Sequence, residues 1–352
     1  MGMKNLNHIR FEIPDIGQTP PVIIIGAGGI VEDAHLPAYK LAAIPVSGIY
    51  DIDNTRSQKL AGKFQIPKVY EYMQQLVAEN NNDCIYDIAV PGNKIIDVIQ
   101  QLPDKSFVLM QKPMGENEKQ AEKILELCRK KQITAGVNFQ LRYAPYILML
   151  KQMIAEEWLG DICDAEVYVN VYTPWHLWEF LKDAKRVEIL YHSIHYIDLL
   201  RNLLGEPKSI YARSVRHPKM PQLAEVKSNI ILDYGDMLRA NISTNHLHEF
   251  GLHNQDAFIK IEGTKGAVKI KLGLLMNYPT GVPDAFEYVL LGDDSPGWHQ
   301  LPIHGSWFPH AFIGSIYEMI KAKRGTVLHP DNSVEDAINT MRLVERAYKR
   351  SE

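Results

Sequence analysis

Short apolar runs alternate with amphipathic stretches over residues 21–143. The run at 22–25 is wholly β-branched and ends at Gly26, which is typical of a buried parallel strand. The same order of strand and amphipathic stretch repeats as far as residue 137. Such β-α repeats predict a doubly wound parallel sheet over residues 21–143. Further strands are predicted at 46–50, 69–70, 84–90, 107–110 and 133–137.

The pattern changes after residue 144, where longer strands are joined by tight turns. β-Branched residues alternate over 167–171, and a turn at 263–266 joins two apolar runs. Residues 144–352 are therefore predicted to form an α+β domain with a large open, mainly antiparallel sheet. The last helix of this domain is able to pack back on the first domain. The predicted strands are 162–172, 209–215, 228–233, 238–244, 258–262, 267–271 and 287–291, and the predicted helices are 145–157, 188–204, 311–322 and 333–349.

Composition narrows the class of protein. With 38 basic and 42 acidic residues the net charge is −4, and we expect no nucleic-acid partner because proteins that bind nucleic acid are usually basic. No apolar run approaches ~18 residues, and the start lacks the apolar core of a secretory signal, so we expect no membrane partner and a cytoplasmic location.

Three separated cysteines predict neither a disulfide framework nor a metal knuckle. Residues 1–20 are predicted to form an arm or a disordered leader.

A glycine-rich turn follows the first predicted strand. Residues 26–31 are Gly-Ala-Gly-Gly-Ile-Val, in which the first two glycines suit a tight turn and a close approach to pyrophosphate. Val31 departs from the third glycine of the dinucleotide fingerprint, and the alternative is a glycine turn that binds nothing. Asp51 ends the second strand, where an acid binds ribose hydroxyls and repels a 2′-phosphate, so NAD is favoured over NADP. The predicted contacts to the cofactor in this region are Gly26, Gly28, Gly29, Ile30, Asp51, Ile52 and Arg56. The positive charge of Arg56 slightly weakens the predicted preference for NAD over NADP.

A further motif lies between a predicted strand and a predicted helix. Residues 111–113 are Gln-Lys-Pro, and together with residues 26–31 and 193–198 (Ser-Ile-His-Tyr-Ile-Asp) they make the chain similar to the Gfo/Idh/MocA oxidoreductases. That family includes glucose-fructose oxidoreductase, inositol dehydrogenase and many sugar dehydrogenases. The resemblance implies an N-terminal Rossmann domain that binds NAD, a C-terminal domain whose open sheet often forms the oligomer interface, and catalytic roles for Lys112 and His195.

The chain departs from the family pattern at three positions. Gln111 stands where the family has Glu, and Ile95 stands where it has a His on the cofactor side. Tyr191 stands where it has an Asp four residues before the catalytic His, which leaves open whether Tyr191 or His192 takes the place of that Asp. We predict further cofactor contacts at Val90, Pro91, Gln111, Lys112 and Gln140, and substrate contacts at Arg142, Trp175, His192 and His310.

The candidate catalytic residues suit the oxidation of an alcohol. The Lys112 ammonium is able to stabilise a developing alkoxide, and His195 is able to act as acid and base near neutral pH. At α-helical spacing Tyr191 and His192 lie one turn before His195, so that the three rings share one face of the helix. Tyr191 is therefore a third catalytic candidate. The alternative is that this face of the helix packs into the core. His192 and His195 with His246 or His248 form no diagnostic ligand set, and we predict no metal.

Aromatic loops favour a carbohydrate substrate. Trp175 and Trp178 follow the long strand, and a second loop carries Trp307 and His310; tryptophan faces stack on sugar rings, although a packed loop or a subunit contact explains them equally well. We therefore expect an NAD-dependent oxidoreductase acting on a sugar, sugar acid or cyclic polyol. The alternatives are an NAD-dependent glycosidase on the same fold and a non-catalytic NAD-binding sensor. A homodimer or homotetramer is expected, because Ile230, Leu232 and Ile242 predict an uncovered apolar sheet face.

Overall fold

The structure is a computed structural model that describes residues 6, 8–80, 82–293 and 297–349. It divides into two compact units. The parallel-sheet unit comprises residues 13–144 and 307–342, and the open-sheet unit comprises residues 145–306 with the described parts of 1–12 and 343–352. Residues 307–342 thus group with the first unit, whereas the sequence pattern assigned everything after 143 to the second domain.

The described part of the N-terminal segment is packed rather than disordered. Leu6, Ile9, Phe11 and Ile16 are all buried. Ile16 belongs to the core of the parallel-sheet unit. Of the two alternatives, an arm or a disordered leader, this burial favours a packed arm for these residues; residues 1–5 and 7 lie outside the described part of the chain.

The parallel-sheet unit contains five strands in the order β2-β1-β3-β4-β5, all of them parallel. This confirms the doubly wound sheet expected from the β-α repeats. Residues 69–70, predicted as a strand, make only an isolated bridge from Val69 to Ile49, in which the Ile49 amide donates to the Lys68 carbonyl and the Tyr70 amide donates to the Ile49 carbonyl. The strands are β1 (Val22–Ile25), β2 (Val46–Tyr50), β3 (Ile85–Ile88), β4 (Phe107–Gln111) and β5 (Thr134–Asn138).

Helices and short turns surround this sheet. A π-helical turn at Val31–His35 precedes α1, so that Pro37 falls in the first turn of α1, where its missing amide is tolerated. Asp53 caps α2 by accepting from the Thr55 amide at 3.1 Å. The helices are α1 (Leu36–Leu41), α2 (Asn54–Phe64), α3 (Met73–Glu79), α4 (Ile95–Gln101), α5 (Glu118–Lys130) and, much later in the chain, α8 (His310–Lys323), with 3₁₀ turns at Gly92–Lys94 and Gln140–Tyr143.

A buried polar network joins the start of the first helix to the sheet. His35 Nδ1 lies 2.7 Å from Asp87 Oδ2, and the Tyr39 hydroxyl donates to the same oxygen at 2.6 Å. Asn138 Nδ2 lies 3.4 Å from His35 Nε2. All four side chains are buried, so this network fixes the helix after the glycine turn against strands β3 and β5.

The open-sheet unit contains an eight-stranded sheet in the order β13-β12-β11-β10-β6-β9-β8-β7. Its neighbours are antiparallel except for β6 and β9, which run parallel. Three helices have residues in this unit, and the boundary between the units falls within α9. The strands are β6 (Ile162–Asn170), β7 (Ser209–Val215), β8 (Lys227–Asp233), β9 (Arg239–Asn245), β10 (Asp256–Gly263), β11 (Gly266–Lys271), β12 (Ala285–Leu290) and β13 (His299–Leu301); the helices are α6 (Pro145–Ala155), α7 (Ile194–Leu204) and α9 (Val334–Lys349), with a π-helical turn at Ile189–Ser193 and 3₁₀ turns at Trp175–Leu177, Glu179–Lys182, Leu252–Asn254 and Gly273–Leu275.

The apolar face of this sheet is covered by the chain itself. Ile230, Leu232 and Ile242 are each 1% exposed. The prediction that these side chains form an uncovered face is therefore wrong, because alternation alone does not reveal which face is packed. The opposite face is the accessible one, with Tyr211 and Ile231 paired across β7 and β8 at 50% and 54% exposure.

Among the described residues, none of the helices is both long enough and apolar enough to cross a membrane. In the same part of the chain, no three His, Cys, Asp or Glu side chains are arranged to hold a metal ion.

Two helical glycines give a matched test of packing in the parallel-sheet unit. A Cβ on Gly314 in α8 would lie 2.4 Å from Tyr143 Cβ, whereas a Cβ on Gly62 in α2 would meet nothing within 4 Å. We expect Gly62→Ala to stabilise the protein by about 0.5–1 kcal/mol, since alanine loses less backbone entropy. Gly314→Ala should destabilise it by roughly 1–3 kcal/mol through overpacking. Urea unfolding measures both, and equal effects of the two substitutions would contradict the close contact with Tyr143.

Candidate active site

The glycine-rich turn lies at the carboxyl end of β1. Gly26 has φ +112°, and a Cβ there would lie 2.3 Å from the Ala89 carbonyl oxygen, so only glycine fits. A Cβ on Gly28 would meet nothing within 4 Å. The turn therefore offers open backbone at the place where a dinucleotide fold binds pyrophosphate.

Asp51 ties this turn to the end of β2. Its Oδ2 accepts from the Ala27 amide at 2.6 Å, and its Oδ1 accepts from the Asp53 amide at 2.8 Å. Ile52 beside it is exposed, and Arg56 Nε lies 3.2 Å from Asp53 Oδ2. The carboxylate thus both holds the turn and stands where adenosine ribose hydroxyls are bound in dinucleotide folds.

Three buried amide oxygens lie at the carboxyl ends of the neighbouring strands. Gln111 ends β4, Asn138 ends β5, and Gln140 begins the 3₁₀ turn two residues later. Their side-chain oxygens are buried and have no hydrogen-bond partner within the described residues. Orphaned acceptors of this kind indicate a ligand with N–H or O–H donors. With the open turn and Asp51, they fit the carboxamide and hydroxyls of a nicotinamide dinucleotide. Val90 and Pro91, after β3, are accessible at the same edge.

Asn138 was missed by the sequence analysis. A signal was present, because a polar residue directly ends an otherwise apolar predicted strand. The sheet register pairs Asn138 with Gln111, which brings the two amides side by side.

Lys112 follows the last residue of β4. Although part of its side chain stays accessible, burial lowers the pKa of its ammonium to about 8. The group is therefore mainly charged at neutral pH and loses its proton in the mildly alkaline range.

Arg142 and His310 also belong to the parallel-sheet unit. The buried Arg142 guanidinium lies 2.6 Å from Asp336 Oδ2 and donates to the Asp331 carbonyl oxygen at 2.9 Å. These contacts favour a structural role over the predicted substrate contact. His310 begins α8 and is partly buried, which lowers its pKa.

The helix that carries the remaining candidates is not regular. Tyr191 and His192 lie in the π-helical turn Ile189–Ser193, whereas His195 lies in α7. The α-helical spacing assumed for these three side chains therefore does not apply across the junction. Tyr191 and His195 are buried and His192 is partly exposed; the Tyr191 ring packs 5.6 Å from Phe180.

Trp175 and His192 belong to one aromatic cluster. Their ring centroids are 4.8 Å apart, and the His192 ring is 4.5 Å from that of His246. Trp178 approaches His192 at 6.4 Å. The sequence analysis considered His246 only as a metal ligand, whereas the structure makes it a packing partner of two predicted substrate residues.

Glu188 is the second residue that the sequence analysis missed. It is fully buried, accepts from Ser193 Oγ at 2.7 Å and lies 3.4 Å from His246 Nε2. Burial raises its pKa, but contact with His246 and the hydroxyls of Ser228 and Ser193 brings the pKa below its usual value. A signal was again available, since Glu188 interrupts an apolar stretch.

Two family models match the chain. Residues 21–139 match the model described as an oxidoreductase family with an NAD-binding Rossmann fold, and residues 147–269 match the GFO/IDH/MocA C-terminal domain.

Individual relatives are distant. A Xenopus tropicalis protein named trans-1,2-dihydrobenzene-1,2-diol dehydrogenase is 25% identical over 254 residues, which cover 70% of this chain and 74% of the relative. The D-apiose dehydrogenase of Rhizobium rhizogenes is 22% identical over 317 residues, covering 86% and 87%. A solved oxidoreductase from Agrobacterium radiobacter, in complex with NAD+, L-tartaric acid and magnesium, superposes with a TM-score of 0.78 at 19% identity, covering 95% and 96%. At that identity the superposition shows a shared fold alone.

Proposed function

The chain belongs to the Gfo/Idh/MocA family of oxidoreductases, and we propose that it transfers a hydride between NAD and a hydroxyl group of a sugar, a sugar acid or a cyclic polyol. The observation that carries this proposal is the position of Lys112. It directly follows β4, beside Gln111, whose side-chain oxygen is buried without a partner in the described part of the chain.

The parallel-sheet unit offers a contact for each part of the cofactor. The turn at Gly26 and Gly28 would approach the pyrophosphate, and Asp51 would accept from the ribose hydroxyls. The amide oxygens of Gln111, Asn138 and Gln140 would accept from the carboxamide and the second ribose. When bound, the nicotinamide ring supplies hydride transfer.

The protein supplies the proton and charge chemistry. In the oxidation direction the substrate hydroxyl loses its proton, for which His195 is the proposed base. Lys112 would stabilise the alkoxide through its ammonium. Tyr191 is a further proposed catalytic group, and Trp175 and His192 are proposed to contact the substrate. A cytoplasmic location stays a prediction of the composition.

Turnover is tested directly with a panel of sugars, sugar acids and cyclic polyols. We expect NADH absorbance to appear with one class of hydroxyl substrate. Release of an aglycone without net NADH would favour the glycosidase alternative, and NAD binding without any turnover would favour the sensor.

The preference for NAD is expected to depend on Asp51. A 2′-phosphate would face its carboxylate, and a partly desolvated like-charge contact costs ~1–3 kcal/mol, or roughly a 5- to 150-fold preference. We expect Asp51→Asn to remove most of that preference while it keeps an acceptor for the Ala27 amide. Asp104→Asn is the control, because it changes an exposed carboxylate that precedes β4, at the amino end of the strands. Fluorescence titration with both cofactors measures the ratio, and equal affinities in the unmodified protein would contradict the role of Asp51.

Lys112 is expected to act through its charge. Lys112→Met should lower kcat about 100- to 1000-fold with little change in the Kd of NAD, because only the alkoxide loses stabilisation. The unmodified enzyme should lose activity as the pH rises through about 8, where the ammonium is deprotonated. Lys112→Arg, which stays charged, should lack that decline in its remaining activity. Full turnover by Lys112→Met would refute the dehydrogenase mechanism.

The exposed face of the open sheet is the proposed interface of a homodimer or homotetramer. It carries stacked rings of Tyr168 and Phe258, 5.5 Å apart, and the exposed pair Tyr211 and Ile231. We expect light scattering to report an oligomer that Ile231→Lys weakens, since a lysine there would be buried in the interface. Leu328→Lys, at an exposed site of the parallel-sheet unit, should leave the oligomer intact. A monomer at micromolar concentration would contradict this interface.

A further inference from the structure

A carboxylate and an imidazole are buried together in the open-sheet unit. Glu188 is 0% exposed and His246 is 1% exposed, with His246 Nε2 3.4 Å from Glu188 Oε1. His246 Nδ1 lies 2.9 Å from the Thr173 hydroxyl oxygen. Ser193 donates to Glu188 Oε1 at 2.7 Å. The pair is thus held from three segments of the chain: the π-helical turn, the residue after β9 and the loop after β6.

Packing alone does not explain this pair. Removing a carboxylate from water is costly, and apolar residues of similar size avoid that cost. The neighbours Val187, Ile189 and Leu190 are indeed apolar and buried. The charged form of Glu188 is nevertheless favoured, because His246 and the surrounding hydroxyls stabilise it. A buried carboxylate that specific partners keep charged is typical of a functional site.

The pair is in contact with a side chain that is accessible. His192 is partly exposed, whereas Tyr191 and Ser193 on either side of it are buried. Its ring packs 4.5 Å from the ring of His246 and 4.8 Å from the ring of Trp175. The orientation of His192 therefore depends on where His246 is held.

Hydrogen-bonding capacity in this cluster is incompletely used. Glu188 Oε2, His246 Nε2 and the indole Nε1 of Trp175 are buried and have no hydrogen-bond partner among the described residues. The 3.4 Å contact between His246 and Glu188 is therefore an ion-pair contact without hydrogen-bond geometry. Each of these atoms is able to bond a hydroxyl group or an ordered water.

We propose that Glu188 and His246 form a buried positioning pair that fixes the ring of His192, and that His192 presents its imidazole to a hydroxyl group of the substrate. The role of His192 toward the substrate rests on the proposed function, whereas the positioning of its ring does not.

The chain contains a control for Glu188. Glu318 is also a buried carboxylate, in α8 of the parallel-sheet unit; it accepts from the Asp331 amide at 3.3 Å and lies 2.7 Å from Lys321 Nζ. Because its partners are Asp331 and Lys321, Glu318→Gln tests the loss of a buried carboxylate apart from the histidine cluster.

The first measurement needs no substrate. In the free full-length protein, histidine ring NMR signals of His192 are assigned by their loss in His192→Gln. The nearby Trp175 ring makes these signals sensitive to ring position. We expect Glu188→Gln to move them and Glu318→Gln to leave them unchanged. Unmoved signals in Glu188→Gln would overturn the positioning pair; if that variant does not fold, Glu188→Asp, which keeps the charge but shortens its reach to His246, gives the same test.

The second measurement uses turnover of the hydroxyl substrate found in the panel. Each of Glu188→Gln and His246→Gln should lower kcat about 10- to 100-fold with the Kd of NAD unchanged. The double variant should be no slower than the slower single variant, because the two residues act as one unit. Glu318→Gln should retain the kcat of the unmodified enzyme. Unchanged kcat in Glu188→Gln would refute the role in catalysis. If the unmodified protein turns over no substrate while the signals move as expected, the proposed function fails and the positioning pair stands.

Discussion

Burial of the parallel sheet is the constraint on which the arrangement of the site depends. β1 and β3 are buried along their whole length, so polar side chains there need partners, as Asp87 has in His35 and Tyr39. The groups proposed to bind the cofactor therefore lie at the carboxyl ends of the strands, where backbone and side chains emerge from the core. The glycine turn, Asp51 and the amides that end β4 and β5 all lie at such positions, and Lys112 is the next residue after β4.

The chain has the family fold but differs from the family pattern in the charged residues near the candidate site. Gln111 replaces an acid beside Lys112, and the ammonium of Lys112 has its pKa lowered by burial. Tyr191 stands where the family resemblance implies an acid before His195, and Glu188 is a buried carboxylate at the start of the π-helical turn that precedes α7. Both changes alter the positions of charged side chains rather than the course of the backbone. They are therefore compatible with the family fold and with a change in substrate or in pH dependence.

Local pattern was sufficient for most elements of the two sheets. Apolar runs ending in glycine or a polar residue located the parallel strands, and a glycine at position 26 is required by the close approach of the Ala89 carbonyl. The same reasoning failed at 69–70, where a single bridge forms, and at 189–193, where the helix is π-helical. Both failures arise because hydrophobic spacing does not encode how many backbone hydrogen bonds a short segment makes.

By itself the sequence determined the two sheets, the glycine turn and the motif that contains Lys112, because each depends on residues near one another in the chain. Only the tertiary structure decided which polar side chains meet. Glu188 reaches His246 because β9 ends beside the π-helical turn, and Arg142 is engaged by Asp336 because residues 307–342 belong to the parallel-sheet unit. Whether an apolar sheet face is covered was likewise decided by packing. Contacts between distant segments follow strand order and register, which no local periodicity specifies.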